Sequence, residues 1–217
     1  MKFILLSAFL LSCVVQAGAQ DKRILDSLEQ VLGTKEGLDR YEALHKLAVQ
    51  YVDVDDERAL SISNEAECVA LNSLDTFSIV KSKRLKGQIL LRLGRNEEVI
   101  STCESVLPFG HEGRYSEEWV LILNNFGIAY LYESRFDKAL EYLFAGYEIA
   151  GTENNPSWRA MSLNNIGITY YKLRDYDRAL DFFLRAYDVK KSLGLISLYE
   201  PINICLCYVQ IGDFGNA

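Results

Sequence analysis

A phrase that returns after forty residues is the strongest constraint on what this chain can fold into. LNNFGIAYLYESRFDKAL at 123–140 comes back as LNNIGITYYKLRDYDRAL at 163–180. Gly127 and Gly167, Tyr130 and Tyr170, and Ala139 and Ala179 are each 40 residues apart. A fixed period of this size implies stacked copies of one supersecondary unit, because no single copy can bury its own apolar face. It also directs the search for function to an extended surface.

The tyrosine of the phrase runs through most of the chain as Tyr51, Leu90, Tyr130, Tyr170 and Tyr208, at spacings of 39, 40, 40 and 38. The small residue three before it reads Gly87, Gly127, Gly167 and Cys205. The alanine nine after it reads Val99, Ala139, Ala179 and Ala217, and in the first unit Ala59 follows Tyr51 by eight. Each unit reads as two helices. In the fourth, Met161, Asn165 and Ile168 recur at helical spacing, Arg174-Asp175 makes a turn, and Ala179, Leu180, Phe183, Leu184 and Tyr187 form a second apolar stripe. Asn155-Pro156 is a helix start, and Pro201 lies just inside another. Pro108, Gly110 and Gly113, then Gly151, Asn154 and Asn155, break the chain between units. The small residues imply close helix crossings, with Gly127 against the turn of Ala139 and Gly167 against the turn of Ala179.

On these residues, above all NNFGIAYLYESRFDKAL and NNIGITYYKLRDYDRAL, the chain resembles a tetratricopeptide repeat protein with units longer than the 34-residue standard. The resemblance covers residues 40–217 and departs from the pattern at Leu90 and Val99. It implies an all-α fold, a TPR-like α-solenoid of antiparallel helix pairs wound into a right-handed superhelix. About four and a half units of 38–40 residues are expected, the last one truncated.

Residues 1–19 read differently. Lys2, an apolar run from Phe3 to Val15, and Ala17-Gly18-Ala19 have the layout of a signal peptide cleaved between Ala19 and Gln20. A membrane anchor is the competing reading, but the run falls short of the ~20 residues a span needs; lipoprotein processing at Cys13 is another. No membrane span is expected after signal removal, and the expected location is exported, periplasmic or secreted. Residues 20–39 read as an amphipathic N-terminal capping helix. The fifth unit stops at Ala217, early in its second helix, so a fragment of a larger protein is expected, and self-association through the uncapped last unit is a further expectation.

A formal charge of −7 disfavours nucleic acid as the partner of this segment. The search for chemistry is nearly empty. His45 reads as a groove or surface residue and His111 as a loop residue, and no phosphate-cradling loop, serine elbow, zinc pattern or cofactor motif is present. The expectation is a non-enzyme with no cofactor and no metal. Of the five cysteines, Cys103 and Cys205 fall at packing positions, and Cys205 and Cys207 point to different sides of a helix, so buried thiols are expected rather than disulfides.

Binding has better support. Asn125, Asn165 and Asn203 occupy one position of three consecutive units, with Asn124 and Asn164 beside two of them. An amide side chain pairs with both C=O and N–H of a peptide backbone. The resemblance implies that such a row holds an extended peptide in a groove lined by the first helix of each unit; the alternative is that the amides bridge helices within the array. Ile128, Ile168 and Leu206, then Leu131, Tyr171 and Val209, would floor the groove, with Tyr132 and Lys172 alongside. Arg84, Gln88 and Arg92 approach the same face and read either as a positive patch for a carboxylate or as solvated charges. Two functions follow. One is an exported scaffold that binds a protein or extended peptide. The other, by resemblance, is the N-terminal sensor region of Bacteroidetes signalling proteins, whose histidine kinase or LuxR-type output would lie beyond residue 217.

Overall fold

The computed structural model describes residues 28, 30, 32–109, 115–195, 199–213 and 215. The leader with Ala19 and Gln20, half of the capping segment 20–39, His111 and Ala217 lie outside the described residues. Among the described residues nine α-helices and one 3₁₀ turn, with helical positions at 28, 30 and 32 ahead of them, account for the regular structure, and there is no strand. They are α1 (Gly37–Tyr51), α2 (Asp56–Ser73), α3 (Thr76–Arg92), α4 (Asn96–Glu104), α5 (Ser116–Tyr132), α6 (Phe136–Thr152), α7 (Pro156–Lys172), α8 (Tyr176–Ser192) and α9 (Tyr199–Ile211). The fold is all-α and TPR-like, built of packed helix pairs.

The chain divides into two compact units, Met1–Ser82 and Lys83–Ala217. In the first, α1 packs on α2. Tyr41, Leu44, Leu47 and Ala48 on one helix and Ala59, Ile62, Ala66 and Ala70 on the other are buried. His45 is buried as well, with the Tyr41 ring 5.8 Å away, which corrects the surface reading made from its polar neighbours. Ala48 takes the place of the glycines, 39 residues before Gly87, so the packing register holds in this unit. What changes is the turn. The helix ends on Tyr51 itself, two residues sooner than its counterparts relative to the repeated tyrosine, and four residues connect it to α2.

In the second unit every consecutive pair from α4 to α9 packs together, and α5 also meets α7. The turn inside each pair has one design. Gly94, Ser134, Arg174 and Gly212 adopt left-handed backbone at φ 70°, 57°, 62° and 87°. The next residue donates its N–H to the carbonyl at the repeated tyrosine position: Arg95 to Leu90, Arg135 to Tyr130, Asp175 to Tyr170 and Asp213 to Tyr208, at 2.8–3.0 Å. This is a Schellman closure, which satisfies a helix-end carbonyl that would otherwise be orphaned.

The repeated aromatic is fixed on both faces. Tyr130 stacks on Tyr142, with Arg135 4.6 Å above its ring. Tyr170 stacks on Phe182, with Arg178 4.6 Å above its ring. Val99, Ala139 and Ala179 are wholly buried at the fourth residue of α4, α6 and α8, and Leu90 is wholly buried in the tyrosine position. Two details differ from the pattern reading. Gly151 lies inside α6 rather than between units, and Leu184 is exposed, the buried side of α8 being Ala179, Phe183 and Ala186.

Candidate peptide-binding face

The two asparagine rows interlock. Asn125 Nδ2 donates to the backbone carbonyl of Arg84 at 3.2 Å, Asn165 Nδ2 to Asn124 Oδ1 at 2.9 Å, and Asn203 Nδ2 to Asn164 Oδ1 at 3.3 Å. Each amide of one row thus leans on the residue of the other row one unit back. Asn124, 2% exposed, also donates to Val120 O at 2.9 Å and to Ser162 Oγ at 3.2 Å. Gly146 on α6 lies against this junction; a Cβ there would stand 3.2 Å from Asn124 Nδ2. The N–H groups of Asn125, Asn165 and Asn203 that bond in this way are therefore spent inside the array. What remains to the half-buried Asn165 and Asn203 is the second Nδ2 N–H and the Oδ1 acceptor of each.

The apolar positions beside the rows fall into place more openly. Ile168 and Tyr171 on α7, Phe183 on α8, and Asn203 and Leu206 on α9 line a cleft of about 120 Å³. Three of these five came from the floor of the groove read in the sequence and Asn203 from its amide row; Phe183 was read as packing stripe and supplies the cleft's buried wall. Ile128 on α5 is half-buried in the equivalent place, Leu131 is buried, and Tyr132 (65% exposed) and Lys172 stand out beside them. Ile202, Leu206 and Val209 leave the same side of α9 exposed.

The basic residues divide. Arg84 Nε pairs with Glu118 Oε2 at 2.5 Å, both side chains largely buried, and its Nη1 donates to Gln88 Oε1 at 3.2 Å. Its charge is answered within the fold, which corrects both the patch and the solvated-charge reading of Arg84; Arg92 is exposed. Glu118 is far from Arg84 in sequence, and nothing in the local pattern announced the pair.

Cys103 and Cys207 are the buried thiols, Cys205 is half-buried and Cys68 exposed, and all four are free. Burial pushes Cys103 up to about 12 and Cys207 up to about 11, which makes both inert as nucleophiles near neutral pH. Among the described residues no cluster of metal-ligating side chains occurs and no helix is long and apolar enough to cross a membrane.

A second polar cluster escaped the sequence reading altogether. Tyr147 on α6 meets Arg159 on α7 and Arg185 on α8, with Nη2 of each arginine donating to its Oη at 3.1 and 3.2 Å. Tyr147 and Arg185 differ in residue type and Arg159 is only 12 residues from Tyr147, so no repeated letter marked the cluster.

With paired helices, Schellman turns and a repeated small-aromatic-small register in view, comparison with known families is decisive for one stretch. Residues 120–192 match the tetratricopeptide repeat family. Solved structures extend the likeness of fold to nearly the whole chain. BtubC (BKLC) from P. vanneervenii is 23% identical, with 92% of this chain and 84% of that one covered and a TM-score of 0.73. A putative kinesin light chain of Podosopora anserina, with nearly identical TPR-like repeats, is 17% identical over 82% of this chain and 90% of that one, at a TM-score of 0.64. A STAND signal-transduction ATPase with a tetratricopeptide repeat sensor, from Pyrococcus horikoshii, is 16% identical over 90% of this chain and 31% of that one, at 0.73. At such identities the likeness is one of fold. No curated protein matches the chain.

Proposed function

We propose that this chain is a non-catalytic tetratricopeptide repeat scaffold that binds an extended peptide or protein segment along the first helices α5, α7 and α9. The observation that carries the reading is the apolar cleft of Ile168, Tyr171, Phe183 and Leu206 with Asn203 at its edge. An apolar recess with one polar group at its side takes a side chain of the ligand, while the amide oxygen accepts from the ligand's backbone. Binding energy then comes from side-chain burial more than from an amide row, since one donor of each amide in the row is already engaged within the array.

The test selects peptides from a displayed library on the intact protein and measures their affinity for Ile168→Asp and Leu206→Asp variants. Affinity is expected to fall at least tenfold, about 1.4 kcal/mol or more. Selected peptides that bind both variants as they bind the parent overturn the groove.

The leader-like residues 1–19 support a site of action outside the cytoplasm. The same leader in front of long repeats favours a second reading, the sensor portion of a membrane-anchored histidine kinase or LuxR-type regulator. Both require export. N-terminal sequencing of the protein from its native cell is expected to begin at Gln20, and a retained Met1 removes both extracytoplasmic readings while leaving the groove untouched.

A further inference from the structure

The cluster of Tyr147, Arg159 and Arg185 has an imbalance of donors. A phenol oxygen accepts two hydrogen bonds and donates one. Both of Tyr147's accepting directions are taken by guanidinium N–H groups. Its own O–H finds no acceptor among the described residues. Guanidinium groups donate only. The phenol O–H and the remaining guanidinium N–H groups thus converge from three helices around a single shared acceptor, the phenol oxygen, with Asp181 answering Arg185 from outside.

Charge tells the same story. Arg185 Nη1 has one carboxylate, Asp181 Oδ2 at 3.4 Å, on the exposed side of α8. Arg159 has no carboxylate within ion-pair distance among the described residues. It is held by packing, its guanidinium 5.4 Å from the Tyr147 ring centre and its Nε buried without a partner. In a chain of formal charge −7 this is a local reversal of sign. The hydrogen bond from Arg159 holds the Tyr147 phenol below its ordinary range, against the effect of burial, and the charges of both arginines add to it. A phenol so polarised is a stronger donor.

We propose that Tyr147, Arg159 and Arg185 form a binding site for an oxyanion, a carboxylate or phosphoryl group seated against the phenol O–H and the outer N–H groups of both guanidiniums. A carboxylate or phosphate supplies the acceptors the cluster lacks and a charge opposite to its own. The site uses α6, α7 and α8 but shares no residue with the cleft of Leu206, and stands whether or not the groove reading does.

The experiment uses the intact protein labelled with ¹³Cζ-tyrosine, the Tyr147 resonance being assigned with Tyr147→Phe. Inorganic phosphate and acetate are titrated separately, with ionic strength held constant by chloride. A saturable shift of Tyr147 is expected for at least one of them, with an apparent Kd at least tenfold weaker in Arg159→Gln and Arg185→Gln. Preference for acetate assigns a carboxylate ligand; preference for phosphate assigns a phosphoryl ligand. Tyr147→Phe keeps the ring and both charges but removes the donor; followed through arginine ¹⁵N resonances, it is expected to weaken binding several-fold. A shift no larger than the chloride control overturns the site. So does an equal loss in Arg174→Gln, an exposed arginine elsewhere on the fold, which reports net charge alone.

Discussion

A missing methyl group sets how closely the helices of each pair approach. A Cβ on Gly127 would overlap the side chain of Leu143 and stand 3.2 Å from the Ala139 carbonyl. On Gly167 it would stand 2.8 Å from the Phe183 ring. On Gly87 it would meet only Asn125 Nδ2 at 3.2 Å and Cys103 Sγ at 3.6 Å. Gly127→Ala is therefore expected to cost about 1–3 kcal/mol through overpacking, although alanine is intrinsically the better helix former by roughly 1 kcal/mol. Urea midpoints check this, and Gly87→Ala should lose less. Adding Leu143→Ala to Gly127→Ala should cost less than the two changes summed, because they share one contact. A Gly127→Ala protein melting with the parent removes the crossing. The glycines were legible because they recur with the period. Their partners were legible only in part: the Ala139 turn does lie against Gly127, but the side chains that fill the space are one turn further on, at Leu143 and Phe183.

At the scale of the helix, starts and ends are settled by caps and turns. Asp55, Asp75, Asn155 and Asp175 each accept from the backbone N–H three residues on, at 2.9–3.1 Å. Hydrogen bonds from Ser78, its side chain first and its N–H second, hold the Asp75 carboxyl below its usual value of 3.8. The depressed folded value means that this stabilisation is present above the unfolded carboxylate's pKa and is lost as pH falls through the folded one. Asp75→Ala is expected to cost about 1 kcal/mol at pH 7, and the deficit should shrink on acidification below the usual carboxylate range. Asp75→Asn, which keeps an acceptor without a titrating group, should show a weaker pH dependence. Guanidinium denaturation at pH 7 and at acid pH checks this, and a deficit unchanged between them dismisses the carboxylate's role. Asn155-Pro156 was readable as a helix start because both residues act on their own backbone. The turns were only half readable. Gly94 and Gly212 suit a left-handed position, but Ser134 and Arg174 adopt the same backbone without glycine's freedom. The Schellman closure and the packing of the two helices it joins hold them there.

Across the molecule, the period and the helices belonged to the sequence. A 40-residue repeat, a 3.6-residue apolar stripe and a cap all act between residues close along the chain, so they leave a pattern that can be read in order. The doubled asparagines at 124–125 and 164–165 were visible for that reason, and so was the apolar floor that became the cleft at Ile168, Tyr171 and Leu206. Which way the amides point was decided by tertiary structure alone. A hydrogen bond from Asn165 to Asn124, an ion pair from Arg84 to Glu118, and two arginines on Tyr147 join residues 12–41 positions apart on separate helices. Such contacts depend on how one helix is set against the next, and they are made or lost by movements of an ångström that no local periodicity records.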